Sequence, residues 1–233
     1  ASHRLDVLVA AVLPGVVNHH GVYELASEAR SSTRTGSGLT VFAPVTVEEA
    51  TTKLHESLSR NGALTLTTPP KRYVKAAHRL PEIYGVEVLD VAALVVTATR
   101  ALATEHKASW DFVLGVDAAP KGSADWSQLV GLVQQAVTPV WQDRLAGDQP
   151  LLILNAGPLV RYGMTGLLSD LLDVGTPRPA ARWLLVAKQG SQAVPLLEGK
   201  PVPLGPSGWV ELPADFSLHA EPIITRSTPG ARK

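Results

Sequence analysis

Short apolar runs alternate with helix-like segments from about Leu64 to Lys188. The runs are Leu64–Thr68, Val86–Val91, Phe112–Asp117, Leu151–Asn155 and Arg182–Ala187. Each is short, rich in branched residues and bounded by turn or cap residues, so each is predicted to be a strand. Strands that alternate with helices argue for an open, mostly parallel sheet covered by helices. The expected fold class is therefore α/β: a Rossmann-like five-stranded sheet.

The helix signals are of several kinds. Thr46-Val-Glu-Glu49 fits a capping box, and Ala50, Leu54 and Leu58 recur at four-residue spacing behind it. Pro69-Pro70 opens the next helix, because proline is tolerated in a first turn. Asp90 is a plausible N-cap for Ala92–His106, and Ser123 for a long helix from Ala124 to about Leu145. Pro139 within that helix predicts a kink or break near Thr138. A single helix is expected over Pro158–Asp173.

Outside this core the pattern changes. Residues 4–13 look helical and stop at Pro14-Gly15, Asn18–Gly21 reads as a turn, and Arg30–Gly38 as a flexible linker. A small N-terminal helical unit over 1–38 is expected, with a winged-helix-like unit as its variant. The core domain is expected over 39–213. It ends in a β-hairpin appendage at Val194–Leu197 and Lys200–Leu204, whose prolines make it a poor central sheet element. Residues 214–233 read as a loose tail.

Composition narrows the function classes. Lys plus Arg equals Asp plus Glu at 21 each, so no global charge argues for nucleic acid or anionic membrane. The absence of cysteine excludes disulfides and thiolate chemistry, and is compatible with a cytoplasmic setting. No apolar run approaches the length of a membrane span. The first residues, Ala1-Ser2-His3, suggest a piece of a longer polypeptide.

Chemical motifs are sparse. A P-loop needs glycines and a Lys-Ser/Thr pair. Gly115–Ser123 and Gly157–Thr165 both miss its spacing, and the second has Met164 where Lys belongs. Pro69-Pro70 stands after the first core strand, where a dinucleotide fold has its glycines. No GxSxG elbow occurs, and Ser123 reads as a helix cap. The seven histidines show no metal-ligand spacing. Ligand-crevice candidates are Asp90, Asp117 and Asn155, at carboxyl ends of expected strands, with Arg161 and Tyr162 just beyond. Lys71, Arg72, Lys75 and Arg79 cluster on one helix, the best candidates for phosphate-backbone contact. No catalytic residue, metal or cofactor is assigned.

The stretches Leu151–Gly163 (LLILNAGPLVRYG), Ala180–Ala187 (AARWLLVA), Val194–Pro213 (VPLLEGKPVPLGPSGWVELP) and Trp110–Trp126 (WDFVLGVDAAPKGSADW) carry a resemblance. Over about residues 60–213 the chain resembles the C-terminal region of large actinobacterial phage-defence proteins of the PglW kind. These are serine/threonine kinase components of type 2 BREX systems. The resemblance implies cytoplasmic antiviral defence beside a methyltransferase, a phosphatase-like protein and ATPases. It transfers no catalytic residue, because the kinase Gly-rich loop, HRD and DFG are missing from this sequence. The expected role is a noncatalytic accessory domain whose partners are other defence proteins or other domains of its own polypeptide. A nucleic-acid-binding module and a small-molecule or nucleotide enzyme of α/β class are the alternatives.

Overall fold

The computed structural model describes residues 16–19, 22–25 and 46–216, apart from 174, 191, 204–208 and 215. The chain divides into two compact units, Ala1–Ala43 and Pro44–Lys233. In the first, β1 (Val16–His19) pairs antiparallel with β2 (Val22–Leu25). The helix expected over residues 4–13 lies outside the described residues, as does the tail from 217.

The second unit starts as its caps dictate. Glu49 N–H donates to Thr46 Oγ1, and Thr46 N–H donates to the Glu49 carboxylate, both at 3.1 Å. This capping box opens α1 (Val47–Ser59). There follow β3 (Ala63–Thr68), a 3₁₀ turn at Pro70–Arg72, α2 (Tyr73–Tyr84), β4 (Glu87–Asp90) and α3 (Val91–Glu105). Then come α4 (Trp110–Ala118), α5 (Ala124–Ala146), β5 (Leu151–Leu154), α6 (Gly157–Arg161), α7 (Thr165–Leu172) and β6 (Arg182–Ala187). Short strands β7 (Leu196–Leu197), β8 (Lys200–Pro201) and β9 (Trp209–Glu211) complete the unit.

Five parallel strands form the sheet in the order β4-β5-β6-β3-β9. The pleat of β5 and β6 sorts their apolar residues onto two faces. Leu152, Leu154, Trp183 and Leu185 join α1 and α2 in one core. Leu151, Ile153, Leu184 and Val186 join α3 to α7 in the other. This division follows from topology. The chain runs from β3 out to the edge strand β4, then returns through β5 and β6. Right-handed crossovers travelling in opposite directions must use opposite faces. The helix between β3 and β4 covers one face, and the helices after β4 cover the other. The sheet order therefore reverses beside β3, and the ligand crevice of such a sheet lies outside the strand ends at that point.

The fold class is as the sequence implies, with four corrections. The apolar run Phe112–Asp117 is helix α4, not a strand. Val113 and Val116 are buried while Phe112 and Leu114 are 62% and 49% exposed. That is a spacing of three along one face, which a continuous apolar run conceals. The fifth strand is instead β9, whose three residues among prolines carry no strand signal. Helix α5 continues through Pro139 without a break. Finally, Pro158–Asp173 is two helices. Gly163, at φ +72°, ends α6, with Met164 N–H donating to Leu159 O and Gly163 N–H to Val160 O. This is a Schellman closure that needs glycine in the left-handed region.

The expected hairpin is present as β7 and β8. Its two turn residues, Glu198 and Gly199, have φ of +49° and +74°, a turn whose twist matches the paired strands.

Candidate functional site

All five sheet strands are parallel, so their carboxyl ends share one edge. Asp90 ends β4, and Asn155 follows β5. The Asn155 side-chain amide donates to the Asp90 carboxylate at 2.9 Å. The other Asp90 oxygen accepts from Ala93 N–H at 3.1 Å, so it also caps α3 as the sequence predicts. Tyr73 at the start of α2 completes the group. Its hydroxyl accepts from Asn155 N–H at 3.1 Å and donates to Asn155 Oδ1 at 3.2 Å. Burial pushes the Tyr73 hydroxyl above the usual tyrosine range, and the nearby Asp90 charge adds to that. Asn155 sits at φ +54°, a conformation that asparagine tolerates better than most residues. Thus Tyr73, Asn155 and Asp90 tie together the ends of β4 and β5 and the helix that follows β3.

The glycine beyond β5 is likewise committed. A Cβ on Gly157 would meet the Glu198 carboxylate at 3.0 Å, so this glycine admits the tip of the β7–β8 hairpin. Tyr73 and Glu198 are the members that sequence reasoning missed. Tyr73 reads as an apolar helix residue, and Glu198 as half of a turn.

The other three crevice candidates form a separate cluster. Asp117 lies on α4, so it does not end a strand. The Arg161 guanidinium donates to Asp117 Oδ1 through Nε at 3.1 Å and Nη2 at 2.8 Å, and through Nη2 to Asp117 O at 2.8 Å. The Tyr162 hydroxyl donates to the same carboxylate oxygen at 2.8 Å. Arg161 lies 5.2 Å from the Trp126 ring centroid, and the Trp126 and Tyr162 rings stack at 5.8 Å. The Asp117 hydrogen bond raises the Arg161 pKa, and burial chiefly raises that of Tyr162. Every strong donor is directed at one carboxylate, which locks α4 to α5 and α6. A cavity of about 80 Å³ beside it is lined by Val96, Thr99, Trp110, Leu114, Asp117 and Tyr162, among others.

The basic candidates do not share one helix as expected: Lys71 and Arg72 lie in the 3₁₀ turn that Pro69-Pro70 opens, and Lys75 and Arg79 lie on α2. Lys71, Arg72 and Lys75 are exposed, while Arg79 pairs with Glu82 at 2.7 Å. Arg72, Lys75 and Arg79 line a cavity of about 70 Å³ with Thr68, Leu212 and Phe216. Ser123, by contrast, caps α5 by accepting from Trp126 N–H at 3.0 Å. Among the described residues no His, Asp or Glu cluster could hold a metal ion. No described helix is long and apolar enough to cross a membrane.

A comparison with curated proteins now adds context. The chain is similar to the "Probable kinase PglW" of Streptomyces coelicolor. The two are 29% identical over 230 residues, which covers 91% of this chain. The chain spans only 14% of that relative's length. No family model matches the chain, and no solved structure matches it.

Proposed function

We propose that this chain is a noncatalytic accessory domain of a kinase-related antiphage defence protein, of the BREX type that its sequence resembles. It works in the cytoplasm by contact with other parts of its polypeptide or with other defence proteins. The observation that carries this reading is the internal closure of the crevice at the ends of β4 and β5. Tyr73, Asn155 and Asp90 spend their polar atoms on one another, and Pro69-Pro70 offers no backbone N–H cradle for phosphates. The similarity to PglW supports the kinase-related context.

A second observation favours contact over chemistry. Helix α4 exposes Leu114 and α3 exposes Val96, and both line one small cavity. Exposed apolar side chains gathered at one place mark interaction surfaces.

The test uses the 233-residue chain and its parent polypeptide. Incubated with Mg-ATP, the chain is expected to show no hydrolysis or phosphoryl transfer above a blank. In the parent, Asp90→Ala with Asn155→Ala is expected to leave kinase turnover intact, whereas Val96→Asp with Leu114→Asp is expected to abolish phage resistance at unchanged protein level. Turnover by the isolated chain that the Asp90 and Asn155 changes remove would overturn the proposal.

A further inference from the structure

The crevice is closed beside β4 and β5, but the other side of the reversal point, at the ends of β3 and β9, is open. There a cavity of about 70 Å³ lies between α2 and the segment after β9. Its polar wall is Arg72, Lys75 and Arg79, with Thr68, itself only 3% exposed, at the end of β3. Its apolar wall includes Leu212 and Phe216, which are 4% and 3% exposed. Phe216 is held by stacking on Tyr84, 6.4 Å between centroids at 17°.

The charge pattern there works against the fold. Lys75 and Arg79 are spaced by four on α2, and Arg72 lies in the 3₁₀ turn just before it. Like charges at such spacings destabilise a helix by a few tenths of a kcal/mol per pair. Four cations occur over residues 71–82 and 212–216 against two carboxylates, Glu82 and Asp215. Among the described residues no carboxylate pairs with Lys71, Arg72 or Lys75. Three cations from the 3₁₀ turn and α2, of which only Arg79 has a carboxylate partner among the described residues, converge on a concave site at the sheet's reversal point, the arrangement expected of an anion receptor.

We infer that this cavity binds a single phosphomonoester dianion, with side-chain cations replacing the backbone cradle that Pro69-Pro70 cannot supply. Arg72 and Lys75 contact the phosphoryl oxygens, Arg79 contributes charge tempered by Glu82, and the Thr68 hydroxyl donates from the floor. Leu212, Pro213 and Phe216 accept an apolar group next to the phosphoryl. The size of the cavity suits one phosphoryl group, not the long row of phosphates that a nucleic-acid track requires. Phe216, the aromatic residue that lines the cavity, is buried and stacked on Tyr84, so it offers no free face to a base. The occupant favoured is therefore a phosphorylated serine or threonine of a protein segment with an apolar neighbour. The inference stands apart from the interaction surface at α4.

Titration calorimetry on the 233-residue chain tests it. The probes are inorganic phosphate, adenosine monophosphate, a phosphothreonine peptide with a flanking leucine, and the same peptide unphosphorylated. The phosphopeptide is expected to bind and its unphosphorylated form not to bind. Arg72→Gln and Lys75→Gln, both at exposed positions, are each expected to weaken binding roughly tenfold or more, the worth of one hydrogen bond to a charged group. Thr68→Val should weaken it less, and Glu82→Gln should not weaken it. Far-ultraviolet circular dichroism of each variant separates lost binding from lost fold. Tighter binding of the monophosphate than of the peptide still supports the site and assigns a nucleotide source. No heat with any phosphomonoester, equal binding of both peptides, or unchanged affinity in the Arg72 and Lys75 variants would overturn it. So would preferential binding of duplex DNA with a steep salt dependence.

Discussion

The Tyr73 hydroxyl bonds twice to Asn155, accepting from its main-chain N–H at 3.1 Å and donating to its side-chain oxygen at 3.2 Å. These residues are 82 positions apart, and their pairing holds the first turn of α2 against the end of β5. Tyr73→Phe removes both bonds and should destabilise the chain by about 1–2 kcal/mol. Asn155→Ala should cost at least as much, because alanine tolerates φ +54° poorly and Asp90 loses a donor. In a urea double-mutant cycle the two should be non-additive by about 1 kcal/mol. Strict additivity would contradict the coupling.

Alkali should loosen the same contact. Burial raises the Tyr73 and Tyr162 hydroxyls above the ordinary tyrosine value of 10.0 in the folded chain. Their contribution is thus complete below pH 10 and declines as pH rises from there toward the folded values, because the unfolded chain releases those protons first. Urea midpoints measured from pH 8 upward should fall beyond about pH 10. The fall should be shallower in Tyr73→Phe, and shallower still when Tyr162→Phe is added.

Arg182 opens β6 at 1% exposure, with no carboxylate beside it among the described residues. Its guanidinium donates instead to Leu145 O, Gly147 O, Gln149 O and Ala181 O at 2.6–2.9 Å. The first two lie at the carboxyl end of α5, where a cation is favoured by the helix dipole. Burial holds the Arg182 pKa below its usual value, though the fork geometry keeps the charge in place. Arg182→Ala should cost about 3–5 kcal/mol by orphaning these carbonyls. Arg182→Lys should recover only part of that, as read from thermal and urea unfolding.

Helix α4 can be told from a strand by mutation. Phe112→Ser and Leu114→Ser, at exposed positions, should shift stability by no more than about 0.5 kcal/mol. Val113→Ala and Val116→Ala, at buried ones, should each cost about 1–2 kcal/mol. A central strand of this sheet would be buried on both faces, so the changes at Phe112 and Leu114 would then cost as much as those at Val113 and Val116.

The sequence by itself determined what depends on neighbours along the chain. Thr46 with Glu49, Asp90 and Ser123 act as caps because a side chain reaches a backbone N–H three residues on, whatever the fold around it. Four of the five sheet strands were legible for the same kind of reason: branched apolar residues packed between turn signals can be buried on both faces only in a parallel sheet. Tertiary structure alone decided the rest. The run Phe112–Asp117 is compatible with either a helix or a strand until the neighbouring α3 and α5 select Val113 and Val116 for burial. The three-residue β9 forms only because β3 offers it an open edge. The candidate site was half visible for the same reason. Asp90 and Asn155 could be placed at strand ends, but Tyr73 reaches them only through the sheet order, which brings β3 and its helix beside strands distant in sequence.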